Sequence, residues 1–305
     1  MFILKRLAGA APTLLVASVL VFFFVSFIPG DPAVQLAGPT ASNEEVAAIR
    51  EHLGLNQAVL PRYVRFVRGI VDPELATSFR TGRPVATEIL ERLPKTLSLA
   101  IGALMVGLIV GAISGIACAL RQGSLFDTLV TVLSLAGISM PIYWLGLLCI
   151  WLFAVYLGWL PAAGAATPLH FVLPILVLST RPAALFSRLI TANLLEVMDK
   201  DYLDTARSKG LRETRVILKH ALPNSLVAAV SVAGVQFGSM LGGSVVTENV
   251  FGLPGLGRLL VQGVSGSDYP VVQYTVLMFA AFFILVNLAT DLLTQCLDPR
   301  TRSAG

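Results

Sequence analysis

Six apolar stretches, each about 20 residues or longer, constrain this 305-residue chain more than any other feature. A helix needs about 20 such residues to cross the ~30 Å hydrocarbon core of a bilayer. Charged residues make up only 13% of the chain, about half the ~25% usual in soluble domains. The sequence therefore predicts an all-α, polytopic membrane protein with six transmembrane helices. The predicted spans lie approximately at 9–28, 96–119, 127–153, 169–192, 226–247 and 271–293.

The first apolar stretch has two interpretations. Lys5 and Arg6 precede it, as basic residues precede the apolar region of a secretory signal peptide. However, the run from Leu7 to Ile28 is long for that region, and no Ala-x-Ala cleavage site follows it. We expect the segment to be retained as a transmembrane helix.

The distribution of basic residues predicts the orientation. Basic residues concentrate in the short cytoplasmic loops of membrane proteins. The loop 154–168 has none, and 248–270 has only Arg258. The loop 193–225, in contrast, carries Lys200, Arg207, Lys209, Arg212, Arg215 and Lys219. With six spans, this loop lies on the same side as both termini, which carry Lys5, Arg6, Arg300 and Arg302, so we expect the N and C termini to be cytoplasmic.

This orientation divides the chain into four parts. They are a transmembrane helix at 1–28, an extracytoplasmic loop with short helices at 29–95, a five-helix core at 96–293 that includes the cytoplasmic loop 193–225, and a cytoplasmic tail at 294–305. The eight basic residues of the outer loop are balanced by eight acidic ones, and a loop of that length crosses largely regardless of charge.

The outer loop contains the pattern of at least one helix. Ser42 and Glu45 have the spacing of a capping box. Val46 and Ile49 begin an apolar stripe, and Gly54 can end the helix. A second short helix is predicted at 62–70. The loop is interpreted either as a docking surface for a partner or as a lid that packs on the spans.

Two predicted spans contain glycines at every fourth position. Small residues on one face let membrane helices approach closely, so we expect both helices at crowded contacts. The alternative is a smooth face that permits sliding or lines a pathway. The glycines are Gly107, Gly111 and Gly115 in the second span, and Gly234, Gly238 and Gly242 in the fifth.

Arg181 is predicted near the middle of the fourth span, where a charged side chain is costly unless it faces a protein interior or a water-filled cavity. It is a candidate for the substrate pathway, where it would meet an anionic group such as a carboxylate. The alternatives are that it extends to the membrane surface, or that it pairs within the bundle, for example with Asp291. Pro141, Pro174 and Pro182 predict kinks, which are common in transporters and receptors alike.

The sequence lacks the usual signatures of catalytic or nucleic-acid chemistry. No Gly-Lys dipeptide is present, so there is no Walker A phosphate loop. Basic residues are not grouped with aromatics, and this argues against nucleic acid as a partner. Three scattered cysteines, Cys118, Cys149 and Cys296, make neither a disulfide framework nor a metal site. We therefore expect no metal and no catalytic residue, with energy supplied by an ion gradient or another subunit.

The loop 193–225 predicts two short helices between Asp199 and Pro223, which we call the knob. Asp199 or Asp201 can cap the first helix, and Gly210 can end it. The second helix is predicted from about residue 212 to 222, and Pro223 is expected to break it before the fifth span. The compact shape favours a docking element for another protein over an amphipathic hairpin on the membrane surface.

The knob resembles the EAA loop of ABC importer permeases, a pattern of Glu-Ala-Ala, three residues, Gly, nine residues and Ile-x-Leu-Pro. Its positions are filled here, in order, by Asp204, Thr205, Ala206, Gly210, His220, Leu222 and Pro223. Asp replaces Glu, Thr replaces the first Ala, and His replaces Ile. The "HALPN" ending is similar to the dipeptide/oligopeptide branch.

The resemblance extends over nearly the whole chain. Similar segments are "FIPGDPA" after the first span, "TSFRTGRPV" and "ERLPKTL" before the second, and "ENVFGLPGLGRLL" with "DYPVVQ" before the sixth. One departure is "DPELATSF", where that branch usually has a Gly-Asp-Leu-Gly-x-Ser type of run; it affects one outer turn.

The resemblance implies a type I ABC importer permease fold and a non-catalytic subunit in the bacterial inner membrane. The implied cargo is di- or oligopeptides. The implied partners are a second homologous permease, two cytoplasmic ATPase subunits and an extracytoplasmic solute-binding protein, besides membrane lipid. ATP and Mg²⁺ would bind to the ATPase subunits, with no cofactor on this chain. The EAA-pattern residues would contact and couple to one ATPase.

Two alternatives remain open from the sequence. Related permeases share these motifs, so the alternative cargo is a solute grouped here as non-peptide, such as a nickel complex, an opine or glutathione. A stand-alone secondary transporter is the alternative from another class, but its usual inverted repeats are not evident. A membrane receptor offers no account of the pattern from Asp204 to Pro223.

Overall fold

The computed structural model describes residues 2–25, 27 and 30–297. These residues are predominantly helical, and the only β-type pairing among them is an isolated bridge between Thr77 and Pro84. The all-α prediction is confirmed for this part of the chain. Arg300 and Arg302 lie outside the described residues, as do the side chains of Lys5, Arg6 and Asp291.

The described chain forms thirteen α-helices. They are α1 (Phe2–Val25), α2 (Pro32–Ala37), α3 (Asn43–His52), α4 (Val59–Val71), α5 (Val85–Leu120), α6 (Leu125–Ser139), α7 (Ile142–Cys149), α8 (Val172–Met198), α9 (Asp201–Ser208), α10 (Glu213–Val216), α11 (Leu222–Val250), α12 (Leu256–Ser265) and α13 (Tyr269–Leu297). Short 3₁₀ segments at Pro73–Leu75 and Pro168–Phe171, and π-helical segments at Ile150–Tyr156 and Ile217–Ala221, complete the helical structure.

Three of the described helical segments are long and apolar enough to cross a membrane: Val85–Leu120, Pro168–Met198 and Tyr269–Thr290. A fourth is added if the bent pair α6 and α7, with its π-helical extension, counts as one span. The predicted first and fifth spans fall on α1 and α11, which are 24 and 29 residues long. The number of six spans stays a prediction.

The third predicted span is not one continuous helix. Its two halves, Leu125–Ser139 and Ile142–Tyr156, are bent by 108° at the break between them. Met140 and Pro141 are both extended there, with ψ of 130° and 131°. The residue before a proline disfavours the helical conformation, and the proline ring prevents the preceding turn from continuing. Pro141 therefore interrupts the helix, where the sequence predicted only a kink.

The chain divides into two compact units, Met1–Leu97 with Gly252–Ile284 and Ser98–Phe251 with Leu285–Gly305. In the second unit, the glycines of α5 lie directly against α8. A Cβ atom on Gly111 would come within 2.6 Å of the Phe186 Cβ, and one on Gly115 within 2.6 Å of the Ser187 carbonyl oxygen. The predicted close contact at this stripe is confirmed.

Hydrogen bonds reinforce the contact between α5 and α8. The Ser114 hydroxyl donates to the Ser187 hydroxyl at 2.9 Å, and the Thr191 hydroxyl donates to the Gly115 carbonyl at 3.0 Å. Phe186 and Ile190 of α8 are fully buried in a core that also contains Ala229 of α11. Small residues and short polar side chains therefore join α5 to α8, as is common at helix contacts in membranes.

The glycines of α11 do not form a second stripe of the same kind. Gly234 lies against Thr290 of α13, where an added Cβ would meet the hydroxyl oxygen at 1.9 Å. Gly242 is exposed, and no atom of the described residues lies within 4 Å of the position of its missing Cβ. The expectation of a crowded contact is confirmed for Gly234 and wrong for Gly242, because fourfold spacing places residues on one face but does not place a partner helix there.

The first unit contains the helices of the predicted outer loop. The capping box is present: the Ser42 hydroxyl accepts from the Glu45 amide, and the Glu45 carboxylate accepts from the Ser42 amide at 2.8 Å. Helix α4 packs on α1, where Tyr63 bonds to Ser18 at 2.9 Å and its ring lies edge-on to Phe22. The segment is thus a folded part of this unit.

Sequence motifs that lie far apart along the chain meet in the first unit. Asp268, before α13, accepts hydrogen bonds from the Ser78 hydroxyl at 2.6 Å and from the Phe79 amide at 3.1 Å. The Thr96 hydroxyl accepts from the Leu256 amide at 2.8 Å, at the first turn of α12. Because Asp268 and Ser78 are both buried, loss of either partner leaves a polar group without its hydrogen bond, which is costly.

We expect Gly111→Ala to destabilise the protein, because the added methyl group overlaps Phe186 and the Ala183 carbonyl. Overpacking of this kind typically costs about 1–3 kcal/mol. The measurement is the midpoint of thermal aggregation of the detergent-solubilised chain. Gly242→Ala is the matched control and should leave the midpoint unchanged; equal effects of the two substitutions would contradict the described packing.

Candidate functional site

The first helix of the knob is α9, but its predicted caps are wrong. Asp199 is the C-cap residue of α8, and Lys200 occupies the N-cap of α9 without a side-chain capping bond. Asp201 is instead the first helical residue, and Asp204 is also in the first turn. Both carboxylates still stabilise α9 by lying near the positive end of its dipole.

The predicted turn at Gly210 is confirmed. Its φ is +75°, in the left-handed region that residues with a Cβ rarely adopt. The Gly210 amide donates to the Arg207 carbonyl at 2.9 Å, just past the end of α9. Nothing lies within 4 Å of its missing Cβ, so glycine is required here for its backbone conformation and not for space.

The predicted break at Pro223 is absent. The backbone is helical from Glu213 through α10, the π-helical segment Ile217–Ala221 and all of α11. Pro223 is the second residue of α11, and the preceding turn is widened so that the Leu222 amide donates to the Ile217 carbonyl, five residues back. In a regular helix the proline ring clashes with the carbonyl four residues earlier, and the wider π turn makes room for the ring. The knob is thus continuous with α11.

The inner face of the knob is an apolar core. Leu203 and Ala206 of α9 pack with Val216 and Ala221, and all four are buried. Ala119 of α5 and Leu194 of α8 belong to the same cluster. Ala206 therefore packs inward against the ends of two long helices, and its role in coupling to an ATPase stays a prediction from the resemblance.

Arg207 holds the two knob helices together. Its guanidinium donates to both carboxylate oxygens of Glu213, at 3.0 and 3.3 Å, and to Asp204 at 2.9 Å. The hydrogen bonds that Arg207 donates to Glu213, and then the one it donates to Asp204, raise the pKa of Arg207 above its usual range. Forked bonds of this kind fix orientation as well as charge, so Arg207 sets the angle between α9 and α10.

The remaining EAA-pattern residues differ in exposure. Asp204 is 73% exposed despite its ion pair, and Thr205 beside it is exposed. His220 and Leu222 are half-buried, and Pro223 is exposed. The Tyr202 hydroxyl donates to the His220 carbonyl at 3.5 Å. The structure therefore places all seven residues on the knob and leaves four of them exposed: Asp204, Thr205, Gly210 and Pro223.

A groove on the second half of the knob was missed by the sequence reasoning. Leu218 is 56% exposed, whereas its neighbours Val216, Ile217 and Ala221 are buried. The groove combines apolar and basic side chains, those of Leu211, Arg212, Arg215, Leu218 and Lys219. The sequence could have indicated this groove through Leu218, an apolar residue that lies off the buried face formed by Val216, Ile217 and Ala221.

Arg181 and Arg188 lie on α8, and both are exposed. No described side chain forms an ion pair or hydrogen bond with either of them. The sequence analysis singled out Arg181 alone. Arg188 was detectable from its spacing, since seven residues are close to two full helical turns and place both on one face. The alternative pairing of Arg181 with Asp291 involves a side chain that lies outside the described residues.

The described residues contain no cluster of three His, Cys, Asp or Glu side chains that could hold a metal ion. Cys118 of α5 and Cys149 of α7 are free thiols. The side chain of Cys296 lies outside the described residues. The described geometry offers surfaces for contact and charge recognition at two places, the exposed residues of the knob and the arginines of α8.

We expect Gly210→Ala to loosen the knob, because an alanine held at φ +75° costs about 1–2 kcal/mol. The measurement is hydrogen exchange of the amides of α9 in the purified chain, which should become several-fold faster. Lys209→Ala is the matched control, since Lys209 is exposed and has an ordinary φ of −77°. Unchanged exchange in Gly210→Ala would contradict the strained turn.

Comparison with known protein families gives two matches that together cover nearly the whole chain. The family described as "Binding-protein-dependent transport system inner membrane component" matches residues 104–303. A model for the N-terminal part of such membrane components matches residues 1–100. The first match includes the knob and both arginines of α8.

Curated relatives are similar along their entire length. The glutathione transport system permease protein GsiC of Salmonella paratyphi A is 43% identical over 301 residues, which cover 99% of this chain and 98% of the relative. GsiC of Escherichia coli K12 is 42% identical with the same coverage.

Two solved structures share the fold at low sequence identity. An inward-facing form of the MetNI methionine ABC transporter superposes with a TM-score of 0.61 at 19% identity, over 71% of this chain and 99% of that one. An amino acid ABC transporter with histidines gives 0.52 at 18% identity, over 70% and 94%.

Proposed function

Because this chain belongs to the family of binding-protein-dependent transport system inner membrane components, we propose that it carries peptides across the membrane and that an ATPase docked on its knob drives this transport. The chain is a permease subunit of a binding-protein-dependent ABC importer, a multi-pass protein of the bacterial inner membrane. The finer topology that we propose has six transmembrane helices with both termini in the cytoplasm, as in type I importers.

The proposed cargo is di- or oligopeptides. Glutathione is the second candidate, favoured because relatives 42–43% identical along their whole length are named glutathione permeases. Glutathione is itself a tripeptide with a γ-linked glutamate, so the two proposals differ in the cargo and not in the mechanism.

The proposed complex contains a second homologous permease, two cytoplasmic ATPase subunits and an extracytoplasmic solute-binding protein. ATP and Mg²⁺ would be bound and hydrolysed on the ATPase subunits, and this chain would be non-catalytic. The family of binding-protein-dependent importers supports a binding protein and an ATPase as partners. The exposed arginines on α8 support a second permease, because a bundle with cations on its outer face needs another surface or a water-filled pathway beside it.

The observation that carries the proposal is the two-sided construction of the knob. On its inner face, Leu203, Ala206 and Val216 pack against the ends of α5 and α8. Its outer face presents Asp204 and Thr205. A segment that is rigid toward the membrane helices and polar toward the cytoplasm can transmit a movement from a docked ATPase.

A path for that movement is present in the packing. Ile116 of α5 contacts both the knob core and the membrane core around Phe186 and Ile190. The helix that leaves the knob continues without a break through Pro223 into α11. Rocking of the knob would therefore move α5, α8 and α11 together and open the pathway alternately to the two sides.

We expect Leu218→Ser to lower ATP-driven import about tenfold without changing membrane insertion, since it removes an exposed apolar contact from the proposed docking face. The measurement is uptake of labelled glutathione and of a labelled dipeptide by proteoliposomes containing the complete complex. ATPase activity is recorded in parallel, with and without binding protein.

The matched control is Leu125→Ser. Leu125 is 84% exposed at the start of α6, near the same predicted membrane face but outside the knob. It should import at the wild-type rate. Normal import by Leu218→Ser would show that the groove is not part of the docking face. ATP-independent uptake by the wild type would contradict the proposed coupling.

A further inference from the structure

The exposed face of α8 carries a row of polar and apolar side chains. The opposite faces of this helix pack on α5, α6, α7 and α11. The row follows helical spacing of three or four residues: Arg181, Leu185, Arg188, Ala192 and Glu196. Glu196 forms a salt bridge with Lys200 at 3.2 Å. The two cations of the row are Arg181 and Arg188, and no described residue forms an ion pair with either of them.

Both arginines lie near the middle of a membrane-crossing helix. Leu185 is the midpoint of the 27 residues of α8, and Arg181 and Arg188 lie four and three residues to either side. At 1.5 Å per residue, each is within about 6 Å of the midpoint along the axis. The hydrocarbon core extends about 15 Å to either side of its centre. The Cα atoms of both arginines lie within it whether the bilayer is centred on α8 or on the predicted span 169–192, where Arg188 is about 11 Å from the centre.

Lipid cannot cover this face at reasonable cost. An arginine at the centre of a lipid-exposed helix costs at least about 2.5 kcal/mol, and two such residues on one face compound the cost. Charged residues within membrane helices face the bundle interior or a water-filled cavity. The row must therefore face either the translocation pathway or a complementary carboxylate on a neighbouring subunit.

We propose that Arg181 and Arg188 form a two-point anion site on the translocation pathway, and that it favours solutes with two carboxylates. The two Cα positions are about 10 Å apart along the helix axis, and a guanidinium can bind each carboxylate with two hydrogen bonds. An acidic peptide has a side-chain carboxylate as well as its terminal one. A peptide without an acidic side chain engages one arginine only.

This inference rests on the proposed function, since it names the substrate class of that same pathway. Arg181 and Arg188 are both exposed on the described chain. We take a mobile dianion rather than fixed partners, because a pair buried permanently against a neighbouring subunit would require full desolvation of two arginines. A structural pair with the neighbouring permease is the competing outcome of the test.

The test uses the complete importer in proteoliposomes and two matched probes. Glutathione has two carboxylates, and its glycinamide form has one. The quantity measured is the ratio of their ATP-dependent initial uptake rates. Because every variant is assayed with the same binding protein, the selectivity of that protein cancels when ratios are compared between variants.

We expect Arg188→Gln to lower the glutathione-to-glycinamide ratio about fivefold, as the loss of one solvated ion pair predicts. Arg181→Gln should have a similar effect, and Arg188→Lys should retain most of the ratio. Leu185→Gln is the matched control on the same row and should leave the ratio unchanged. Basal ATPase activity of the complex should be normal in Leu185→Gln.

Two results would overturn the inference in distinguishable ways. An equal loss of uptake for both probes in the arginine variants, together with loss of complex assembly, would assign Arg181 and Arg188 to a structural contact. Absence of ATP-dependent uptake of either probe by the wild type would contradict the proposed peptide cargo, and the inference with it.

Discussion

The contact between α5 and α8 is the constraint on which the second unit depends. Gly111 and Gly115 let the two backbones approach until a single added carbon would overlap a carbonyl oxygen. In a bilayer no hydrophobic force draws helices together, so close packing and short hydrogen bonds must supply the association. This contact orients α8, and with it both the arginine row on its outer face and the platform that carries the knob.

The knob can act as a lever only because it is joined to that contact. Its apolar core includes Ala119 and Leu194, from the ends of α5 and α8, and Ile116 connects it to the membrane core. The π turn before Pro223 has a similar consequence, since it keeps the knob continuous with α11 where a proline break would have left a hinge. Force at the knob is thus delivered to three helices at once.

The sequence predicted well those features that depend on local chemistry. The left-handed turn at Gly210 and the Ser42 capping box follow from residues within a few positions of each other. The segments predicted as membrane spans likewise fall on helices, because their apolar length is a local property. The family resemblance rested on motifs whose contacts, such as Asp268 with Ser78, became visible only in three dimensions.

The errors concern features that depend on neighbours or on non-standard backbone. Fourfold spacing could not distinguish Gly111, which meets α8, from Gly242, which meets nothing. A proline predicts a disturbed helix but not its form, so Pro141 gave a 108° bend where a kink was expected, and Pro223 gave none. The short helix α9 gave no sequence signal for which partner its apolar side meets, and the contact of Ala206 with the ends of α5 and α8 became visible only in the structure.

The central claim is that the outer face of the knob contacts the ATPase. It is tested most directly by cysteine cross-linking in the assembled importer, with Thr205→Cys on the knob and Leu169→Cys, an exposed position in the 3₁₀ segment before α8, as the comparison. We predict a cross-link from position 205 to the ATPase subunit whose yield changes when ATP is bound, and none from position 169. An assembled, active complex with no cross-link from position 205 would contradict the account.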